Sequence, residues 1–386
     1  MKGAWWVDLK ELNKEQRDVI GLPLDTSHLI TGPPGCGKTN LMLLRANYLA
    51  MSAKANVLIL VFTRTLQEFI RTGSQQYAFP DSSVSTSRAW QRSLLKEYGY
   101  DYEAIGTFSE QRQILLDRIK AMVQAEGLGH IYDAIFLDEA QDYNEEELKL
   151  FRSLTPRLFA VADYRQRIYD GEDSIETLKS LTDKHILLKY HYRSGMAICR
   201  AADSLRKGDK TYIPLAPTAQ YDEAARPSTA VIVQCTDLDE VFEEILQSLQ
   251  IQSAAYPDEL LGVISPRREE MEYIGYKLMN SVIGASCVMQ KSSDYISFGP
   301  QTLVCVCTIH AAKGLEFRTA HLVGGEHLPS FWDKQKRMTY TAITRAKTSL
   351  TVYKVAPLPG YLEQAINEAN PLPDLPDLEA VFKRKK

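Results

Sequence analysis

Gly32-Pro33-Pro34-Gly35-Cys36-Gly37-Lys38-Thr39 follows a short apolar run ending in Leu29-Ile30 and precedes a helix-forming stretch from Asn40 to Ala50. Glycines at 32, 35 and 37 let backbone N–H groups turn toward an anion, and the helix N-terminus behind them adds partial positive charge. Lys38 is then expected to reach phosphate oxygens and Thr39 to hold Mg²⁺, with Gly32, Gly35, Cys36 and Gly37 forming the cradle. About 100 residues further on, the buried run Ala134-Ile135-Phe136-Leu137 delivers Asp138 and Glu139 at its carboxyl end. Adjacent carboxylates in that place need a cation, Asp138 to share Mg²⁺ with Thr39 and Glu139 to activate a water. The implied chemistry is hydrolysis of a nucleoside triphosphate. What the hydrolysis drives is not written in these two motifs.

Positioning a loop at the end of a strand takes a sheet, and the chain supplies the pieces. Short β-branched runs recur at 57–61, 134–137, 158–161, 231–234, 260–264, 303–308 and 350–353, with helical stretches between them. That alternation predicts parallel sheets in an α/β fold. The stretch Asp237–Gln250 puts Leu238, Val241, Phe242, Ile245 and Leu249 on one helical face, and Thr107 with Glu110 opens another helix as a capping box. One α/β set ends and another begins between about Leu178 and His185, which predicts an N-terminal lobe over 1–183, with a small helical insertion at about 91–130, and a C-terminal lobe over 184–386. The Pro-rich segment Lys207–Ser228 reads as a long surface loop.

Composition narrows the classes. The 386 residues are 45% hydrophobic and 24% charged, ordinary for a soluble chain of two or three domains. No run reaches the roughly 18 apolar residues of a membrane span, and Met1–Lys10 lacks the order of a secretion signal, so a cytoplasmic location is expected. Six cysteines lack zinc spacing, and Cys305 and Cys307 alternate as one face of a buried strand. A net charge of −4 offers no global attraction to phosphate, so any nucleic acid must be held by a local groove. Lys383–Lys386 is read as a solvated terminal charge run.

Asp138-Glu139-Ala140-Gln141-Asp142 is the helicase form of the acidic motif, and further segments follow in the order of UvrD/Rep-like superfamily 1 helicases, which the chain resembles over nearly its whole length. The resemblance implies two RecA-like P-loop NTPase lobes with a cleft between them, and ATP with Mg²⁺ as the nucleotide. Within Leu12–Gln16, Gln16 would bond the adenine edge; Asn40 stands where an arginine commonly grips the base. In Val161–Tyr169, Gln166 would sense the γ-phosphate. In Tyr190-His191-Tyr192-Arg193-Ser194, Tyr192 would stack on adenine and Arg193 reach the γ-phosphate, joined by Arg345 from Tyr340–Lys347. In Thr308–Phe317, Glu316 would take the ribose, and Thr308 and His310 would lie near the nucleic-acid backbone.

The strand track implied by the same likeness uses Phe62, Thr63 and Arg64 after the second strand, then Thr86, Arg88 and Trp90, with core packing the alternative for Phe62 and Trp90. Where the family usually shows Arg-Trp-Arg-Gly this chain has Asp170-Gly171-Glu172-Asp173, which removes a base-stacking aromatic and reverses the local charge. The intervals between motifs leave no room for the large accessory domains of full-length relatives. The expectation is a compact ATPase that translocates on single-stranded DNA with 3′-to-5′ polarity and unwinds duplex. Its rivals are an ATP-gated subunit serving a nuclease or other DNA-processing partner, and an RNA motor.

Overall fold

Val57–Val61 reads Val-Leu-Ile-Leu-Val with every side chain buried, which a strand covered on both faces satisfies. The structure is a computed structural model and describes residues 12–72, 76–103, 106–163, 174–210, 212–291, 296, 298–328 and 333–370. In it that segment is β2 of a six-stranded parallel sheet formed by β1 (His28–Thr31), β2, β3 (Val84–Thr86), β4 (Ala134–Leu137), β5 (Leu158–Ala162) and β6 (Lys184–Leu187). The strand order is β3-β2-β4-β5-β1-β6. Successive residues of β2 serve opposite faces: Leu58 and Leu60 pack with Trp90, Leu115 and Phe151, whereas Val57, Ile59 and Val61 pack with Leu41 and Leu66.

Helices α1 (Lys14–Ile20), α2 (Lys38–Ala53) and α3 (Arg64–Thr72) contribute to one core layer. The other is built with α4 (Ser87–Glu97), α5 (Phe108–Ala125), α6 (Glu145–Ser153) and α7 (Ser174–Leu181). The Thr107–Glu110 capping box forms, and α5 lies within 91–130 while α4 begins ahead of that span at Ser87.

The second sheet is parallel throughout, ordered β7-β12-β11-β8-β10-β9. Its strands are β7 (Thr229–Gln234), β8 (Leu261–Ser265), β9 (Cys287–Met289), β10 (Val304–Thr308), β11 (Phe317–Leu322) and β12 (Ala346–Lys354). Helices α9 (Leu238–Ala255) and α10 (Arg268–Met279) pack on one side, and α8 (Met196–Leu205), α11 (Asp333–Ile343) and α12 (Gly360–Ala369) lie with the other core layer. Cys305 and Cys307 share one face of β10 and are fully buried, and the other four cysteines are buried as well.

Lys184–Leu187 pairs with β1, His28 opposite Lys184 and Thr31 opposite Leu187, so the first sheet runs four residues past 183. Its Lys-His-Ile-Leu sequence sits on an edge and is mostly exposed, so it lacks the apolar run that marks an inner strand. The Lys207–Ser228 connection is largely irregular, as read, but it is tied down, with a single turn at Ala216–Thr218 and a bridge from Ala219 to His191. No helix among the described residues is long and apolar enough to cross a membrane.

Candidate nucleotide cleft and nucleic-acid face

The phosphate loop starts where β1 stops. Gly35 and Gly37 take positive φ of 79° and 88°, conformations open to glycine at little cost, and Gly37 is the N-cap of α2 with no side-chain cap. The first N–H groups of α2 are therefore left for an anion rather than for a capping side chain. Lys38 folds back, its Nζ donating to the carbonyls of Gly32 at 2.9 Å and Pro33 at 2.8 Å. Burial pushes the Cys36 thiol up, which keeps it an uncharged wall of the loop.

Register decides which side chains meet the loop. Leu137 lies beside Ala160 of β5, and β5 lies beside β1, so the carboxyl ends of β4 and β1 open on one crevice. There Thr39 Oγ1 donates to both oxygens of Asp138, at 3.1 and 3.2 Å. Asp138 is buried, and burial with the neighbouring Glu139 charge pushes its carboxyl up to about 7. Burial would raise Glu139 as well, but the positive charges of Lys313, Arg345 and Lys38 outweigh it and hold it below its ordinary value. A hydroxyl and a carboxylate presenting oxygen to a phosphate cradle suit Mg²⁺, which is held by one or two carboxylates plus substrate phosphates. No cluster of three or more His, Cys, Asp or Glu able to hold a metal occurs among the described residues.

The second lobe closes the cleft. A cavity of about 630 Å³ is lined by Lys38, Thr39, Asp138 and Glu139 from the first sheet and by Tyr192, Arg193, Glu316 and Arg345 from the second lobe. Tyr192 N donates to Gly35 O at 3.0 Å, and a Cβ on Gly35 would collide with Arg193, so the lobes touch at the phosphate loop itself. Arg345 is buried, donates to the carbonyls of Thr341 and Leu315 at 3.1 Å, and is lowered to about 10 by burial and by Arg193. Gln166 lies outside the described residues, as do Asp170–Asp173 and Lys383–Lys386.

Two expected nucleotide contacts stand differently. Gln16 spends its amide on the protein, accepting from Asn13 N at 3.1 Å and donating to Cys36 O at 3.1 Å. It braces the phosphate loop from the cavity wall, on which it also lies. Glu316 is paired with Arg193 and lies 3.5 Å from Lys347 Nζ; burial opposes its ionisation, and these cations with Arg345 overcome it, bringing it down to about 2. By contrast Asn40, also on the cavity wall, is buried with its Oδ1 lacking any hydrogen-bond partner, a standing acceptor for an amino group.

On the strand side, Phe62 is half-buried, edge-on to Tyr143 at 6.3 Å, and Arg64 is exposed beside it. Both line a second cavity of about 440 Å³ with Thr86, Arg88 and Arg92. Arg88 donates to Gln111 Oε1 at 2.7 Å, and Thr86 caps α4 by accepting from Ala89 N at 3.3 Å. Thr63 Oγ1 donates to Lys313 O at 3.2 Å, joining the lobes, and accepts from Leu66 N. Thr308 caps the turn after β10, accepting from Ala311 N at 3.3 Å, and His310 is exposed.

Trp90 is a correction: it is 5% exposed, edge-on to Phe151 at 5.7 Å, with its Nε1 donating to Tyr132 OH at 2.8 Å. It is core, because the second position of α4 past Arg88 turns inward onto α5 and α6. Trp90→Ala should cost about 3–5 kcal/mol in chemical unfolding, whereas Trp90→Phe should leave strand affinity unchanged in a polarisation titration. A selective loss of strand binding in Trp90→Phe would restore the contact.

Sequence reasoning missed the pair that joins the two sides. Lys313 and Asp142 form a buried ion pair across the lobes, at 1% and 0% side-chain exposure. Lys313 Nζ also lies 5.1 Å from the Phe62 ring centre. Both residues sit inside quoted motifs, but nothing local signals a partner 171 positions away.

A phosphate loop and metal-suited carboxylate in one lobe, with two arginines from the other on the same cavity, define a two-lobed RecA-like P-loop NTPase. Residues 16–172 match the family described as AAA domain, and residues 303–353 match the UvrD-like helicase C-terminal domain. The likeness to UvrD-like helicases thus lies in residues 303–353. No curated protein matches it. Among solved structures, the C-terminal domain of a possible DNA helicase from Lactobacillus plantarum WCFS1 aligns at 18% identity. That alignment covers 45% of this chain and 93% of the other with a TM-score of 0.32, a likeness too slight to build on.

Proposed function

We propose that the protein is an ATP-driven translocase and helicase on single-stranded DNA, moving 3′ to 5′. The observation that carries this is the composite cavity: Lys38 with Thr39 on one side, Arg193 with Arg345 on the other. Phosphoryl transfer is catalysed mainly by positioning and charge neutralisation, and an arginine donated across a cleft can be worth 10³ or more in rate. Bound Mg²⁺ would supply charge neutralisation at the phosphates, with Thr39 and Asp138 as its protein holders. Glu139 positions and deprotonates the attacking water. Lys38 must leave the Gly32 and Pro33 carbonyls, and Arg193 must leave Glu316, to reach phosphate oxygens, so nucleotide draws groups of both lobes together. Loss of the γ-phosphate removes the bridge and lets the lobes part.

The strand side supports DNA as the load. Phe62 offers a sequence-tolerant stacking face and Arg64 with Arg88 offers phosphate contacts. The polarity follows the motif likeness. Hydrolysis measured with and without single-stranded DNA should rise on addition of the strand and vanish in Lys38→Ala. A rate indifferent to every strand would end the translocase reading, and a matched RNA that outcompetes DNA would transfer it to RNA.

A further inference from the structure

Arg193, Glu316, Lys347 and Arg318 line the nucleotide cavity, and Glu259 joins them into one row of alternating charge. Sheet register sets the row. β11 and β12 are parallel neighbours with Phe317 opposite Ala346, which brings Glu316, just ahead of β11, beside Lys347. Ser194 Oγ donates to Ala346 O at 3.0 Å and Gly195 N to Lys347 O at 2.8 Å, so the loop that carries Arg193 is fastened to the same stretch. Along the row, Arg193 pairs with Oε1 of Glu316, and Lys347 Nζ lies 3.5 Å from Oε2. The same ammonium lies 3.8 Å from Oε2 of Glu259, whose Oε1 accepts from Arg318 Nε at 2.8 Å.

We propose that Lys347 is a positioning residue for hydrolysis, which stays on Glu316 when Arg193 leaves for the phosphates and thereby lowers the cost of that departure. The inference rests on the ATP site argued above, in which Arg193 exchanges Glu316 for a phosphate oxygen.

Charge balance favours the exchange. With Arg193 in place the row holds Arg193, Lys347 and Arg318 against two carboxylates, Glu316 and Glu259. With Arg193 gone it holds two of each sign. Without Lys347 the same departure would leave Glu316 with no cation in contact, and stranding one member of a desolvated pair costs far more than the intact pair contributes. Arg345 acts on Glu316 from further away, but it too is committed to the phosphates. The exchange needs no rearrangement of Lys347, because the two cations sit on different oxygens and Oε1 alone changes partner. Glu259 does not compete for the ammonium, since Arg318 already holds it and is itself fixed, with NH1 3.0 Å from Thr348 Oγ1 and the Tyr256 ring centre 5.6 Å away. Arg226, 3.9 Å from Glu259 and 55% exposed, adds only a screened charge at the outer end.

The test is a double-mutant cycle on steady-state ATP hydrolysis by the full chain. Lys347→Met should lower kcat about 10-fold, the low end for a charge-assisted contact because both side chains are 25% exposed. KM should change far less, since Arg193 is drawn over as charge builds on the transferring phosphate. Lys347→Arg, which keeps the charge, should recover most of the rate. Placed on Glu316→Gln, which has no charge to strand, Lys347→Met should cost less than about 2-fold. A loss of equal size in both backgrounds would mean that Lys347 touches the nucleotide or supports the fold by itself, and it overturns the assignment, as does a wild-type rate in Lys347→Met. If circular dichroism shows Lys347→Met unfolded, Lys347→Gln takes its place in both backgrounds. A wild type without ATPase defeats the nucleotide site itself, and hydrolysis indifferent to Arg193→Ala defeats the exchange of Arg193; both are read on chains that keep Lys347.

Discussion

Glu139→Gln should lower ATP hydrolysis by about 10²–10⁴-fold while the nucleotide still binds. The two carboxylates of the cleft differ by environment, and the proposed division of tasks rests on that difference. Asp138 is buried, bonded to Thr39 and raised to about 7, a group that wants a cation. Glu139 is half-buried on the cavity wall and kept ionised by Lys313, Arg345 and Lys38. Its φ of 47° is left-handed, a conformation that costs a non-glycine residue energy and holds the carboxylate over the cleft. Gln141 donates to the same carboxylate and accepts from Asp163 N at 2.9 Å, bracing it against the end of β5. The amide of glutamine keeps the size and loses the proton acceptor. Phosphate release and titration with a non-hydrolysable analogue measure the two halves; turnover at the wild-type rate would show that the water is activated elsewhere.

Lys313→Ala should destabilise the folded chain by about 3–5 kcal/mol and abolish DNA stimulation of hydrolysis. Removing one member of a buried ion pair strands the other charge away from water, which costs far more than the intact pair contributes. Asp142 sits in that position, reached by Lys313 from the opposite lobe. The same ammonium lies against Phe62 and its charge holds down Glu139, so one cation acts on Phe62, the lobe junction and Glu139. The double variant Lys313→Met with Asp142→Leu separates the two effects. An apolar pair of similar volume should recover most of the stability, as buried ion pairs replaced by packing often do, while stimulation by the strand stays lost. Recovery of both would mean that the pair is structural and that coupling runs through other groups.

Legibility followed burial on both faces. β2, β4 and β10 announce themselves because continuous apolar runs have few other fates, and all are inner strands. β11 does not show as a strand in the sequence because Arg318 and His321 interrupt its apolar run, although every residue of it is buried. Those polar groups are satisfied only by distant partners: Arg318 by Glu259 and Thr348, His321 by Tyr353 and Gln252. β3 and β9, at three residues each, are too short to show a period, and β6 is an exposed edge. Trp90 illustrates the same limit at a single residue, since whether an aromatic on α4 faces a strand or the core depends on where α5 and α6 lie.

By itself the sequence determined the phosphate loop, the acidic strand end and the order of motifs, because these are requirements on consecutive backbone: glycines where φ is positive, an uncapped helix start, carboxylates at the end of a buried strand. Tertiary structure alone decided which groups share a cavity. It set Arg193 against Gly35, tied Glu316 to Arg193, joined Lys313 to Asp142 and brought Gln220–Arg226 to the nucleotide wall. Contacts of this kind are selected by desolvation and charge compensation between residues up to 171 positions apart, and neither leaves a local period to read.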